Sequence, residues 1–210
     1  MNVVRPRNNN NLNKTEQLLE EIEDEELLNK QIENTILQDI EIYDTKFETL
    51  KIVNVEITNS KLEKNTFTDI TFENCNFSNT SFENSIFIRC EFINCKMTGC
   101  NFIEARLYNV SFIETNINYA NLSVTSMENV LFKNTGLRNS NFQENSLKNI
   151  YFEKADLTQA IITKTSFKNV DLSDSIIEGI AVSIDDIKGA TINQFQAIDL
   201  LYLIGVKVKM

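Results

Sequence analysis

The side chains with the widest chemical reach in this sequence are four cysteines: Cys75, Cys90, Cys95 and Cys100. Clustered thiols can hold a metal ion, form disulfides or act as nucleophiles. Their separations are fifteen, five and five residues, not the two-residue gap of zinc-binding pairs, and the chain has no histidine to complete a ligand set. The lack of histidine also removes the commonest general base. Five glycines, scattered along the chain, form no phosphate-cradling loop, and no carboxylate pair stands in an evident cleft. The expectation is a protein without catalysis, cofactor or bound metal.

Each cysteine stands two residues before a bulky apolar residue, and that relation organises most of the chain. From Phe67 to Phe92 the sequence reads FTDITFENCNFSNTSFENSIFIRCEF, with a bulky residue at every fifth place. This beat of centres runs unbroken from Leu37 to Val182. A period of five suits neither regular element. In a helix, at about 100° per residue, successive centres would lie about 140° apart and build no stripe. In a strand they would alternate faces, because five is odd. A chain that turns a corner in every repeat instead sends every centre to one axis, and the result is a solenoid.

Asparagine gives the length of a turn. Asn34, Asn54, Asn74 and Asn94 recur at intervals of twenty, as do Asn109, Asn129, Asn149 and Asn169. Four repeats therefore close one coil. Stacked asparagines can hydrogen-bond along the axis and tolerate turn conformations. The position two before each centre holds small residues such as Ala105, Thr115, Ala120 and Ala155, and it should point inward. Cysteine in that place reads as a small hydrophobe. Cys75 and Cys95 fall one coil apart, where a strand spacing of about 4.8 Å permits a disulfide without requiring one.

The pattern small-x-bulky-x-x, as in Ala105-Arg106-Leu107-Tyr108-Asn109 and Ala155-Asp156-Leu157-Thr158-Gln159, resembles the pentapeptide-repeat family. The resemblance implies an all-β fold, a right-handed quadrilateral parallel β-helix with four repeats to a coil. At the usual strand spacing the coils would form a rod roughly 35 Å long. The expected organisation is a mobile tail over 1–12, a helical cap over 13–32, the β-helix over 33–184, and a C-terminal helix with a short strand over 185–210.

Two readings compete at the N-terminal end. The beat extends back through Ile32, Leu27 and Ile22, but the inward small position there holds Lys30, Glu25 and Glu20. A β-helix core does not accept unpaired charge. The segment NKTEQLLEEIEDEELLNKQI is therefore expected as a short N-terminal helix started by Asn13 and Glu16. At the other end, Asn193 caps a predicted helix running to Ile204 with Gly205 after it. Val206 and Val208 alternate with lysines, as a short strand would. Phe195, Ile198, Leu201 and Tyr202 make this helix apolar on more than one side. It could cap the last coil only, or cap it and pair with a second copy through Phe195, Ile198, Leu201, Tyr202, Val206 and Val208. The segment GATINQFQAIDLLYLIGV is similar to the C-terminal end of the Qnr and MfpA branch, and the resemblance implies a tail-to-tail homodimer.

Thirty acidic residues against twenty basic ones give a net charge of −10. That balance argues against nucleic acid or an anionic membrane as partner. The polar start has no apolar run of signal-peptide length, so a cytoplasmic protein is expected. Glu73, Glu91, Glu114, Glu153, Asp171 and Asp174 fall on one face, and Glu63, Glu83 and Glu104 on the next. The resemblance to the Qnr and MfpA branch implies that such faces imitate duplex DNA and bind a type II topoisomerase (DNA gyrase or topoisomerase IV), with an effect on fluoroquinolone susceptibility. The alternative is a protein-interaction scaffold with another partner, its acidic faces serving solubility.

Overall fold

The computed structural model describes residues 3–7, 12–22 and 24–207. The chain winds into a four-sided parallel β-helix in which each coil hydrogen-bonds to the same positions one coil later. The register is twenty residues throughout the repeats: Phe47 pairs with Phe67, Phe67 with Phe87, Phe87 with Leu107 and Leu107 with Met127. The centres line the axis and are almost wholly buried. Their rings form ladders. Phe72, Phe92, Phe112, Phe132 and Phe152 stack face to face at 4.5–5.2 Å, and Phe47, Phe67 and Phe87 do so on the neighbouring side. Offset aromatic stacking adds to the burial term.

The corners explain the asparagines. The residue two after each centre takes a left-handed φ between 47° and 64° nearly everywhere, as at Asn74 (56°), Asn94 (52°) and Asn109 (56°). Asparagine enters that region at less cost than other residues with a Cβ. Its amide also links coils. Asn94 Nδ2 donates to Asn74 Oδ1 at 2.8 Å, and Asn149 Nδ2 to Asn129 Oδ1 at 2.9 Å.

The inward small position is a polar spine. Thr115 Oγ1 donates to the Phe92 carbonyl at 3.1 Å and accepts the Cys95 N–H at 3.3 Å. Thr125, Thr135 and Thr165 donate to carbonyls in the same relation, 23 residues back. The four cysteines take this place too, all free and buried. Cys90 Sγ faces the Phe67 carbonyl at 3.4 Å and Cys100 Sγ the Phe77 carbonyl at 2.9 Å. Burial pushes both thiols up to about 12. Cys95 is raised by its neighbour Cys75 together with burial. Raised thiols are neither nucleophiles nor ready ligands at neutral pH.

The four sides are unequal for a reason written one residue before each centre. Asn76, Asn116, Asn121 and Asn141 sit there on two sides, and Oδ1 of each accepts the N–H two residues on, at 3.0–3.1 Å. These Asx turns compete with extended backbone. The other two sides carry no asparagine or aspartate there between Lys46 and Tyr151 and run as continuous eight-residue strands: Lys46–Val53, Thr66–Glu73, Ile86–Ile93, Arg106–Ile113, Ser126–Lys133 and Ser146–Glu153. Asp171 restores the Asx turn, to Ser173 N at 2.9 Å, and the long strands stop before it.

The expected helix over 13–32 is not formed. Strands occupy Asn13–Thr15, Glu26–Leu28 and Lys30–Glu33, so the beat does reach back, with Leu27 against Phe47 and Ile32 against Ile52. The charges that argued for a helix avoid the core. Glu20 lies exposed in a turn, Glu25 is exposed at a left-handed corner, and Lys30 is half-buried in an ion pair with Glu21. The same turn drops Leu18 into the core as a plug.

The C-terminal end follows expectation more closely. Helix α1 spans Ile184–Ile187, and helix α2 spans Gln194–Leu200, continuing as a 3-10 turn over Leu201–Ile204. Asn193 and Gln196 form a capping box on α2, and Gly205 closes the helical run at a φ of 73°. Val206 and Lys207 take no strand, and Val208 lies outside the described residues.

Candidate interaction surfaces

The outer surface of the coils carries the candidate site residues, and their surroundings divide them. Cations one coil away neutralise several. Lys51 Nζ lies 3.0 Å from Glu73, and Lys133 Nζ lies 3.2 Å from Glu153. The same relation joins Lys61 to Glu41 and Lys164 to Glu144, both at 2.8 Å. Exposed pairs of this kind add little stability, yet they cancel charge locally. Glu63, Glu83, Glu104, Glu114, Asp171 and Asp174 make no ion pair among the described residues. Glu63 and Glu83 stand one coil apart. Glu83 accepts weak amide contacts from Asn84 and Asn101, at 3.4 and 3.3 Å.

Glu91 is not the exposed carboxylate its sequence position suggests, since its side chain is only 12% exposed. Residues 3–7, expected within a mobile tail, lie across the long-strand side and cover it. Arg5 Nε is 3.4 Å from Glu91 Oε1. Burial raises the Glu91 carboxyl above its ordinary range, against the pull of Arg5.

Beside it, Asp69 is held by Arg89 through two contacts of 2.6 Å and accepts the Arg7 N–H at 3.0 Å. Burial alone would raise Asp69, but these hydrogen bonds outweigh it and hold the carboxyl below its usual value of 3.8. A depressed carboxyl stabilises the fold above its unfolded pKa, and that contribution fades as pH falls through the folded value. Asp69→Asn is therefore expected to lower stability by about 2 kcal/mol at neutral pH. It should also flatten part of the acid loss below about pH 4, as read from thermal unfolding at stepped pH. An unchanged acid limb would disprove the assignment.

The residues named for pairing with a second copy gather at the far end. Phe195, Ile198, Tyr202 and Val206 are 71%, 51%, 50% and 46% exposed, and Ile204 joins them at 65%. Leu201 is half-buried. The opposite side of α2 closes the coil, where Gln196 Nε2 donates to the Leu172 and Ser175 carbonyls at 2.7 and 2.6 Å. Tyr202 donates its hydroxyl to the Ile180 carbonyl at 2.6 Å. Sequence reasoning missed Gln196. The signal was present, as a glutamine three residues after the Asn193 cap.

A parallel β-solenoid with a packed axis and an elaborated outer surface defines the class: a repeat rod whose candidate residues lie on its outer faces. Two profiles of known repeats match, "Pentapeptide repeat region" over residues 85–162 and "Pentapeptide repeats (8 copies)" over residues 67–102. Residues 67–162, which the two profiles cover together, are pentapeptide repeats. Comparison with curated protein sequences finds no significant match. Among solved structures, a trypsin-treated QnrB1, a plasmid-mediated fluoroquinolone resistance protein, is similar with a TM-score of 0.54 at 19% identity, over 86% of this chain and 90% of that one. HetL, involved in heterocyst differentiation regulation in the cyanobacterium Nostoc sp. strain PCC 7120, gives a TM-score of 0.60 at 12% identity, over 84% and 91%. Both likenesses concern the fold.

Proposed function

We propose that this chain is a non-enzymatic interaction rod that pairs tail to tail with a second copy and docks on a type II topoisomerase through its unpaired carboxylates. The observation that carries the pairing is the exposed apolar group of Phe195, Ile198, Tyr202 and Ile204, with Val206 just past the end, on a helical run whose other side is already used. An exposed apolar cluster at the end of a rod is costly to leave in water. Two rods joined there would offer about 70 Å of surface at the usual strand spacing. Phe195→Asp with Ile198→Asp is expected to weaken self-association at least tenfold in sedimentation equilibrium. A full-length chain that sediments as a monomer at micromolar concentration would remove the pairing.

The docking reading rests on Glu63, Glu83 and Glu104 on one side with Glu114, Asp171 and Asp174 on the next. QnrB1, whose fold is similar, is a fluoroquinolone resistance protein. A carboxylate surface that stands in for phosphates acts by many screened charges, so its effect should fade above physiological salt. The test is a supercoiling assay with the cognate gyrase and topoisomerase IV. Inhibition is expected at low salt, relieved by added DNA and weakened by charge reversal at Glu63, Glu83 and Glu114. No effect at tens of micromolar protein would favour the second reading, a scaffold for another partner. The lysine ladders that neutralise Glu41, Glu73, Glu144 and Glu153 support that alternative, because they break the anionic surface into patches.

A further inference from the structure

On the long-strand side of Phe72, Phe92, Phe112 and Phe132, one line of outward positions lies in a furrow covered by residues 3–7. One residue before the centre should face water, yet Thr71, Glu91, Ser111 and Leu131 are only 8%, 9%, 3% and 7% exposed. Lys96, Asn116 and Asn121, at the same place on other sides, are exposed or half-exposed. Residues 3–7 run along this line, from Val4 near Asn109 to Arg7 near Asp69, and cross successive coils. The Val4 N–H donates to Asn109 Oδ1 at 3.2 Å, Arg5 pairs with Glu91, and the Arg7 N–H donates to Asp69 Oδ1 at 3.0 Å. Pro6 lies buried between the two arginines. Proline suits that place, because it has no N–H to leave unsatisfied against the sheet and its φ favours extended backbone. The segment belongs to no coil, and its contacts are those of a bound peptide: end anchors from backbone N–H groups, a central proline and a cation on a buried carboxylate. One depression borders the segment at Arg7, lined also by Lys51, Gln31 and Glu73, and another lies farther along the rod at Tyr151, Lys168 and Asp171.

We propose that this furrow is a receptor for an extended, arginine-bearing segment, and that residues 3–7 are its resident ligand, held in cis. The segment removes Glu91 from the acidic surface and guards the groove. A partner that carries an arginine beside a buried proline can enter only by displacing it. This proposal does not depend on the topoisomerase reading, since groove and ligand are both in this chain.

The test uses the full-length chain and a fluorescein-labelled peptide of its first twelve residues, MNVVRPRNNNNL. Arg5→Glu with Arg7→Glu turns the resident segment against Glu91 and Asp69 while leaving every coil intact, which circular dichroism verifies. Fluorescence anisotropy should show saturable binding of the peptide to this variant, at least tenfold tighter than to the unaltered chain, whose own segment competes. Adding Glu91→Gln to the variant should loosen the peptide severalfold, and so should raised salt. Equal binding to both chains, no binding to the variant, or indifference to Glu91→Gln would each overturn the proposal. Amide exchange supplies a second reading: Val4 and Arg7 should be protected in the unaltered chain and lose that protection in the variant.

Discussion

Replacing Phe92 by alanine is expected to lower the free energy of unfolding by about 3–5 kcal/mol. Phe92 is fully buried inside its ladder, stacked at 4.5 Å on Phe72 and at 5.0 Å on Phe112, with Phe77 and Phe87 at its edges. The backbone on both sides is fixed by the ladder to the next coils, so the cavity cannot close by collapse. That places the cost toward the upper part of the range. The comparison change is Glu114→Gln, exposed at a corner, which should stay within about 0.5 kcal/mol. Urea midpoints decide between them. The reverse order would mean that the inward and outward positions had been exchanged. Glu91→Gln is unsuitable as that control, because Glu91 lies under Arg5.

The difference between Glu114 and Glu91 shows where sequence stopped being legible. Period, coil length and inward positions were all readable, because each repeat repeats the same local problem and any error would be multiplied along the chain. The left-handed corners were readable through asparagine for the same reason. The unequal sides were encoded in Asn76, Asn116, Asn121 and Asn141, but only a comparison of the residues before the centres on the four sides exposes that code. At the N-terminal end the rule against buried charge was sound but misapplied. Lys30 pairs with Glu21 at the rim, and Glu25 turns outward at a corner, so the beat continued without burying an unpaired charge. The exposure of the candidate carboxylates was least legible. Whether a glutamate meets a lysine depends on a residue twenty places away, as for Lys51 and Glu73 (22 apart) or Lys133 and Glu153. Nothing periodic foretells that Arg5 will reach Glu91 across 86 positions.

The end of the rod poses a problem that every solenoid must solve, and here one side chain solves much of it. Within the coils, an inward hydroxyl donates to a carbonyl 23 residues back, as Thr115 does to Phe92, and a backbone N–H donates 21 residues back, as Asn116 does to Cys95. At the last coil the corresponding acceptors are the carbonyls of Leu172 and Ser175, and no further coil supplies donors. Gln196 meets both with its Nε2, while its Oε1 accepts the Asn193 N–H at 2.7 Å and closes the capping box. Its amide thus does the work of one backbone N–H and one threonine hydroxyl. Gln196→Ala should leave two buried carbonyls short of a donor, and at about 1–3 kcal/mol for each such group the expected loss is about 2–6 kcal/mol. Gln196→Glu offers a sharper comparison, since it keeps the shape but turns an acceptor toward two acceptors, and it should be at least as damaging at neutral pH. Amide exchange should show the loss first in the coil from Leu172 to Val182, with the coils around Phe92 unaffected at low denaturant. A change below about 0.5 kcal/mol would mean that α2 closes the rod by covering apolar surface alone, and that the polar match at Leu172 and Ser175 is incidental.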